Sequence, residues 1–141
     1  MKEKLGLTNK KVILGICFKL HDRKGGDYLV ELAKKLSDDE HMVILGLKTN
    51  EKLPENIMVL PKTHSIEELA KIYSMADVFV NTSLEENFPT VNIEALACGT
   101  PVVTFNSGGS GEIVDENTGF VVQIEDVTTL YEKIKIILKN N

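Results

Sequence analysis

Short runs of β-branched and aliphatic residues alternate along this chain with segments of helical spacing, and that alternation is what most restricts its fold. Val12-Ile13-Leu14-Gly15-Ile16-Cys17-Phe18 is a continuous apolar run, the pattern of a parallel strand covered on both faces. A polar, glycine-containing loop over residues 19–26 follows. Residues 28–36 then place Leu29, Leu32, Ala33 and Leu36 on one side of a helix. The pattern recurs with strands over 42–47 and 57–60. Ser65-Ile66-Glu67-Glu68 has the serine-to-glutamate spacing of a capping box opening a helix to about Met75. Residues 78–80, 102–105 and 119–122 read as strands and 91–98 as a helix, and Asp126 is placed to cap a closing helix carrying Leu130, Ile134, Ile137 and Leu138.

Strands and helices in this order form right-handed βαβ units, so the expected fold is α/β, a Rossmann-like doubly wound parallel sheet with helices on both faces. Ligands of such sheets sit outside the carboxyl ends of the strands, which directs attention to the loops 19–26, 61–64, 82–89 and 106–111. A length of 141 residues suits one domain with a full core.

A formal charge of -5 argues against a nucleic-acid partner, which needs a basic stripe to neutralise phosphates. Cys17 and Cys98 lie in apolar runs and are expected to be reduced, which suits a cytoplasmic location. No apolar stretch approaches the roughly 20 residues needed to cross a bilayer, and Met1-Lys2-Glu3-Lys4-Leu5 lacks a signal-peptide core, so no membrane insertion by this domain is expected. His21, His41 and His64 lack metal-ligand spacing, and no aspartate pair separated by one residue is present, so no metal is expected.

The most informative stretch is Ser83-Leu84-Glu85-Glu86-Asn87-Phe88-Pro89-Thr90-Val91-Asn92-Ile93-Glu94. An acidic loop leads into a helix with Pro89 suited to its first turn, and the amides of Thr90, Val91 and Asn92 then point into the cleft. Free amides at the positive end of a helix dipole suit a phosphate, while Glu86 and Glu94, on either side of the helix start, suit vicinal hydroxyls. Read without further context, Asn87 capping the helix and two solvated glutamates explain the same residues.

The segment from Glu86 through Glu94 to Ala95-Leu96-Ala97-Cys98-Gly99-Thr100-Pro101-Val102-Val103 resembles the signature of family-4 retaining glycosyltransferases of GT-B architecture. The resemblance extends to Arg23-Lys24-Gly25, to Ala76-Asp77-Val78-Phe79-Val80, to Gly108-Gly109-Ser110-Gly111-Glu112-Ile113 and to Asn117-Thr118-Gly119-Phe120-Val121-Val122. It implies that Glu86 contacts the transferred sugar, Glu94 holds the ribose hydroxyls, and amides at Phe88, Thr90 and Val91 take the sugar and diphosphate. Lys24 matches the lysine that neutralises the departing diphosphate, with Lys19 or Arg23 as its helper. Many relatives have Gly-Phe-Gly where this chain has Asn87-Phe88-Pro89; Pro89 cannot donate a backbone hydrogen bond, so Asn87 is the expected substitute contact.

By this resemblance residues 11–141 are the carboxyl-terminal, nucleotide-sugar-binding domain and residues 1–10 the remnant of an interlobe linker. The expected role is the donor-binding lobe of a hexosyltransferase in polysaccharide or lipid-linked glycan assembly. It takes a UDP- or GDP-linked sugar and needs no cofactor, with the base received near Pro61, Lys62 and Thr63. The acceptor site belongs to an amino-terminal lobe, so this chain alone is expected to be inactive, the product of a truncation or a split gene. A full-length protein would sit in the cytoplasm at the inner membrane surface. Two other readings use the same residues: a non-catalytic nucleotide-sugar-binding module working with a partner chain, and a nucleotide-sugar epimerase, which the glutamate pair disfavours.

Overall fold

A computed structural model describes residues 1–85 and 90–140, without the side chains of Ser110 and Gly111. Among the described residues the elements run α1 (Lys2–Leu5), β1 (Lys11–Ile16), α2 (Gly26–Ala33), β2 (Glu40–Leu45), β3 (Ile57–Leu60) and α3 (Ile66–Met75). They continue with β4 (Val78–Asn81), α4 (Thr90–Ala97), β5 (Val102–Phe105), α5 (Ser110–Ile113), β6 (Gly119–Val122) and α6 (Val127–Lys139). The strands form one parallel sheet in the order β3-β2-β1-β4-β5-β6. This is the expected doubly wound, Rossmann-like sheet, with its order reversing between β1 and β4.

The continuous apolar runs follow from burial on both faces. In β1, Ile13 packs with Leu29 and Leu32 of α2 and with Leu130 and Ile134 of α6, while Val12 and Leu14 pack with Ile72 and Tyr73 of α3 and Ala95 of α4. The same division separates Val78 and Val80 from Phe79 in β4. Period-two alternation is therefore present, with both sides apolar.

Several boundaries differ from the expectation. The first strand ends at Ile16, so Cys17 and Phe18 open the following loop; the helix expected over 28–36 is displaced to Gly26–Ala33; and the second strand is Glu40–Leu45. Helix α4 includes Thr90 and stops before Cys98, and part of the loop expected over 106–111 is the short helix α5. The capping box is half formed. Ser65 Oγ accepts from the Glu68 amide at 3.1 Å, but the Glu68 carboxylate accepts from Thr63 Oγ1 at 3.2 Å, and the same hydroxyl accepts from the Ser65 amide at 3.1 Å. Asp126 caps α6 as expected, accepting from the Thr129 amide at 3.0 Å.

The first ten residues are docked onto the sheet. Leu7 is buried, and Asp77 Oδ2 at the entry to β4 accepts from both Lys2 Nζ and the Val12 amide at 2.8 Å. Glu40 at the start of β2 is buried and accepts from Tyr131 Oη at 2.8 Å and Lys135 Nζ at 2.7 Å, pinning α6 to that strand. Among the described residues no helix is long and apolar enough to cross a membrane.

Candidate functional site

The sheet's order reverses between β1 and β4, and ligands of such sheets bind at the carboxyl ends of the strands at that point. A cavity of about 150 Å³ lies there, lined among others by Ile16, Cys17, Phe18, Lys24, Asn81 and Val91. Its walls come from β1, the β1–α2 loop, β4 and the first turn of α4. Lys24 and Val91, expected at the diphosphate from separate parts of the sequence, thus share one cavity.

The β1–α2 loop is held in shape by its own backbone and by the neighbouring loop. Asp22 Oδ1 accepts from the Lys24 amide at 2.9 Å, and Gly25 takes a left-handed conformation (φ 76°) as the N-cap of α2. Thr82 Oγ1 donates to the Gly25 carbonyl at 2.8 Å, and the Leu84 amide donates to the Arg23 carbonyl at 2.7 Å. The loops after β1 and β4 are therefore stitched together, and Lys24, half-buried, is held between them. Arg23 and Lys19 are exposed at the rim.

Beneath this loop pair runs a buried polar chain that sequence reasoning did not pick out. Asn81 Nδ2 donates to Asn92 Oδ1 at 3.1 Å, Asn92 Nδ2 reaches Thr104 Oγ1 at 3.5 Å, and Asn81 Oδ1 accepts from the Ser83 amide at 3.0 Å. Ser107 Oγ then donates to the Ser83 carbonyl at 2.8 Å. Asn92 is fully buried, so its side chain serves this chain of bonds and fixes how α4 enters the crevice. The available signal was Asn81-Thr82-Ser83, three polar residues following the apolar run of β4 without a turn-forming glycine or proline.

Thr90 is exposed at the first position of α4, Val91 is half-buried, and Glu94 is half-buried one turn further on. Glu86, Asn87 and Phe88, with Pro89, lie outside the described residues. Burial, reinforced by Asp22 and then Asp27, pushes the Cys17 thiol up to about 11, which keeps the cavity lining at this point uncharged. On the β3–α3 side, Lys62 Nζ sits 4.7 Å from the centre of the Phe18 ring, which is 45% exposed. The crevice therefore offers apolar surface next to cationic groups from two loops, which suits an anionic ligand with a flat apolar part. Among the described residues no group of three histidine, cysteine, aspartate or glutamate side chains is arranged to hold a metal ion.

His21, on the outer side of the same loop, has Nδ1 2.6 Å from Asp27 Oδ1 and Nε2 2.6 Å from Glu51 Oε2. Both nitrogens need a proton to donate, so the arrangement favours the imidazolium. The Glu51 hydrogen bond, followed by the Asp27 charge, raises the His21 pKa above its ordinary value, whereas burial and then Lys10 lower that of His41. The His21 contribution to stability is accordingly complete below the unfolded-state value of about 6.5 and lost as pH rises through the higher folded-state value. Histidine titration followed by NMR is expected to place the His21 midpoint above that of His41. The reverse order would contradict the bridge.

The model of the family described as "Glycosyl transferases group 1" matches residues 1–141. The chain belongs to that family. It is 32% identical over 150 residues to the GDP-mannose-dependent alpha-(1-6)-phosphatidylinositol monomannoside mannosyltransferase of Mycolicibacterium smegmatis, covering 92% of this chain and 39% of that protein. It is 31% identical over 138 residues to the D-inositol 3-phosphate glycosyltransferase of Mycobacterium sp. (strain KMS), covering 87% of this chain and 31% of that protein. This glycosyltransferase domain thus spans between about a third and two fifths of the length of these curated relatives.

Solved structures share the fold over almost the whole chain. Anabaena HepE in complex with UDP-glucose superposes with a TM-score of 0.84 at 22% identity, covering 99% of this chain and 42% of that one. Sucrose-phosphate synthase from Thermosynechococcus elongatus gives 0.83 at 27% identity, covering 99% and 39%. The architecture is that of one Rossmann-like lobe of a GT-B glycosyltransferase.

Proposed function

We propose that this domain is the donor-binding lobe of a retaining hexosyltransferase that takes its sugar from a UDP- or GDP-linked donor. The observation that carries the reading is the shared cavity at the β1/β4 crevice, where Lys24 and the opening turn of α4 converge. Amides at a helix start and a lysine together suit a diphosphate, by hydrogen bonding, helix dipole and charge. Names of relatives agree with such a donor: one mycobacterial relative is GDP-mannose-dependent, and HepE was solved with UDP-glucose.

In this reading the bond between the anomeric carbon and the diphosphate oxygen breaks, and its electron pair leaves on the diphosphate. An acceptor hydroxyl of a glycan or a lipid-linked glycan bonds to the anomeric carbon on the same face and gives up its proton. Lys24 and the amides of Thr90 and Val91 stabilise the charge that develops on the leaving group, with Lys19 or Arg23 assisting. Glu94 holds the ribose hydroxyls and Glu86 the hydroxyls of the transferred sugar, with Asn87 and Phe88 beside it. No metal or other cofactor is invoked. A second, amino-terminal lobe holds the acceptor, residues 1–10 are the linker from it, and this chain alone transfers no sugar.

Two substitutions separate the roles. Lys24→Ala is expected to weaken UDP or GDP binding by about tenfold, the loss of one charge-assisted contact, while leaving the far weaker binding of the bare nucleoside unchanged. Glu94→Ala is expected to weaken diphosphate and nucleoside alike. Calorimetric or NMR titration checks both. Equal nucleotide affinity in wild type and both variants would sink the assignment.

A further inference from the structure

Phe18 stands where three loops meet at the carboxyl ends of neighbouring strands. It follows β1, and its carbonyl accepts from the Lys48 amide at 3.2 Å, which ties it to the segment after β2. Its ring lies against Gly46, where a Cβ would fall 2.5 Å from the ring's Cδ1, and Gly46 stands at φ 90°, a conformation that favours glycine. The Gly46 amide in turn donates to the Leu60 carbonyl at 2.8 Å, joining the end of β2 to the end of β3. A ring that is 45% exposed is thus seated on backbone and not left loose on the surface.

The ring borders both sides of the crevice. It lines the cavity with Lys24 and Val91, and Lys62 of the β3–α3 loop places Nζ 4.7 Å from its centre, over its face. A ligand whose phosphates meet Lys24 can therefore extend a flat ring along Phe18 and bring its edge to Lys62. Aromatic side chains stack nucleobases with little regard to which base it is, because every base has a π-face. Lys62 supplies the choice, since an ammonium has three donors and no acceptor. Uracil O4, and guanine O6 with N7, accept from it. At the same edge cytosine shows an amino donor, and adenine an amino donor beside N7.

We propose that Phe18 and Lys62 set the base specificity of the donor site: Phe18 stacks the base, and Lys62 donates to the carbonyl oxygen that uracil and guanine carry and that cytosine and adenine replace with an amino group. This rests on the donor site proposed at Lys24. The flexible four-carbon stem of Lys62 lets its ammonium move from over the ring to the rim of a base lying on that ring.

The test is an amide NMR titration of wild type, Phe18→Leu, Phe18→Tyr, Lys62→Met and Lys24→Ala with UDP, CDP, GDP, ADP and inorganic pyrophosphate. Wild type is expected to prefer UDP to CDP, and GDP to ADP, by about five- to tenfold, the effect of one charge-assisted hydrogen bond. Lys62→Met should bring each pair within about twofold. Phe18→Leu should weaken all four nucleotides by about tenfold, the loss of one stacked base, and leave pyrophosphate unchanged, while Phe18→Tyr restores them. The thermal midpoints of the Phe18 and Lys62 variants should stay within about 2 °C of wild type.

A preference that survives in Lys62→Met, or is missing from wild type, overturns the role of Lys62; so does an equal loss of pyrophosphate and all four nucleotides in that variant, which would make Lys62 a phosphate contact. Nucleotide affinity unchanged in Phe18→Leu while Lys24→Ala lowers it overturns the role of Phe18 and leaves the donor site standing. An equal loss of nucleotides and pyrophosphate in Phe18→Leu, or a lowered midpoint, makes Phe18 a brace for the loops and also overturns it. If wild type binds neither nucleotides nor pyrophosphate, the donor reading itself fails, and the base assignment with it.

Discussion

Gly25→Ala is expected to lower the stability of the domain by about 2 to 5 kcal/mol and to remove its nucleotide binding. A Cβ built on Gly25 falls 1.9 Å from the Thr82 carbonyl oxygen and 2.6 Å from its carbon, and the residue stands at φ 76°. The left-handed conformation costs a non-glycine residue about 1 to 2 kcal/mol, and crowding against backbone adds about 1 to 3 kcal/mol. Backbone cannot swing aside as a flexible side chain would. Relief must come from parting the loops after β1 and β4, which breaks the Thr82–Gly25 and Leu84–Arg23 hydrogen bonds and carries Lys24 away from α4. Thermal unfolding should show a midpoint lower by on the order of 10 °C. A midpoint within about 2 °C of wild type, with nucleotide affinity retained, would contradict the account.

Phe105→Ala should cost about 3 to 5 kcal/mol, a large part of the 5 to 15 kcal/mol that holds an ordinary domain together. Phe105 ends β5 fully buried and meets Tyr28 edge-on with centroids 5.6 Å apart. It belongs to the cluster that joins the sheet to α2 and α6, so the cavity left behind is walled by strands and helices that cannot close over it. Urea denaturation should show a lower midpoint with an unchanged slope. Phe18→Ala, made at a ring that is 45% exposed, is the control and should move the midpoint little. Equal effects from the two would mean that the layer under α2 and α6 is not the core described here.

The sheet was readable in the sequence because β1, β2, β4 and β5 are buried on both faces and leave uninterrupted apolar runs. Ile57–Leu60, Val102–Phe105 and Gly119–Val122 fall where hydropathy alone puts them. Helix ends were less legible. Leu36 continues the apolar spacing of α2, yet α2 stops at Ala33, and Leu36 packs on the same core from the turn beyond it. Apolar spacing records which side chains are buried, and it does not record whether the backbone carrying them is still helical. Helix α1 escaped notice for the opposite reason: its four residues are mostly charged, and what fixes it is Leu7 and the Lys2–Asp77 pair, a contact between residues 75 apart.

The candidate site was legible as a list of residues and not as a surface. Lys24, Val91 and Glu94 could be named from the motif, and the crevice follows from the strand order. The chain of bonds through Asn81, Asn92, Thr104 and Ser107 could not be, because each is an unremarkable polar residue in the sequence. Only the topology brings the end of β4, helix α4 and the end of β5 together, and burial then requires that their polar groups be paired.

The measurement that bears most directly on the central claim is a titration of the isotope-labelled domain with UDP and GDP, following every backbone amide by NMR. The account predicts saturable shifts concentrated at Lys24, Gly25, Thr90, Val91 and Glu94, with the far edge at Gly119–Val122 of β6 undisturbed. Saturable shifts centred elsewhere on the molecule, or none with either nucleotide, would contradict the placement of the donor at the β1/β4 crevice.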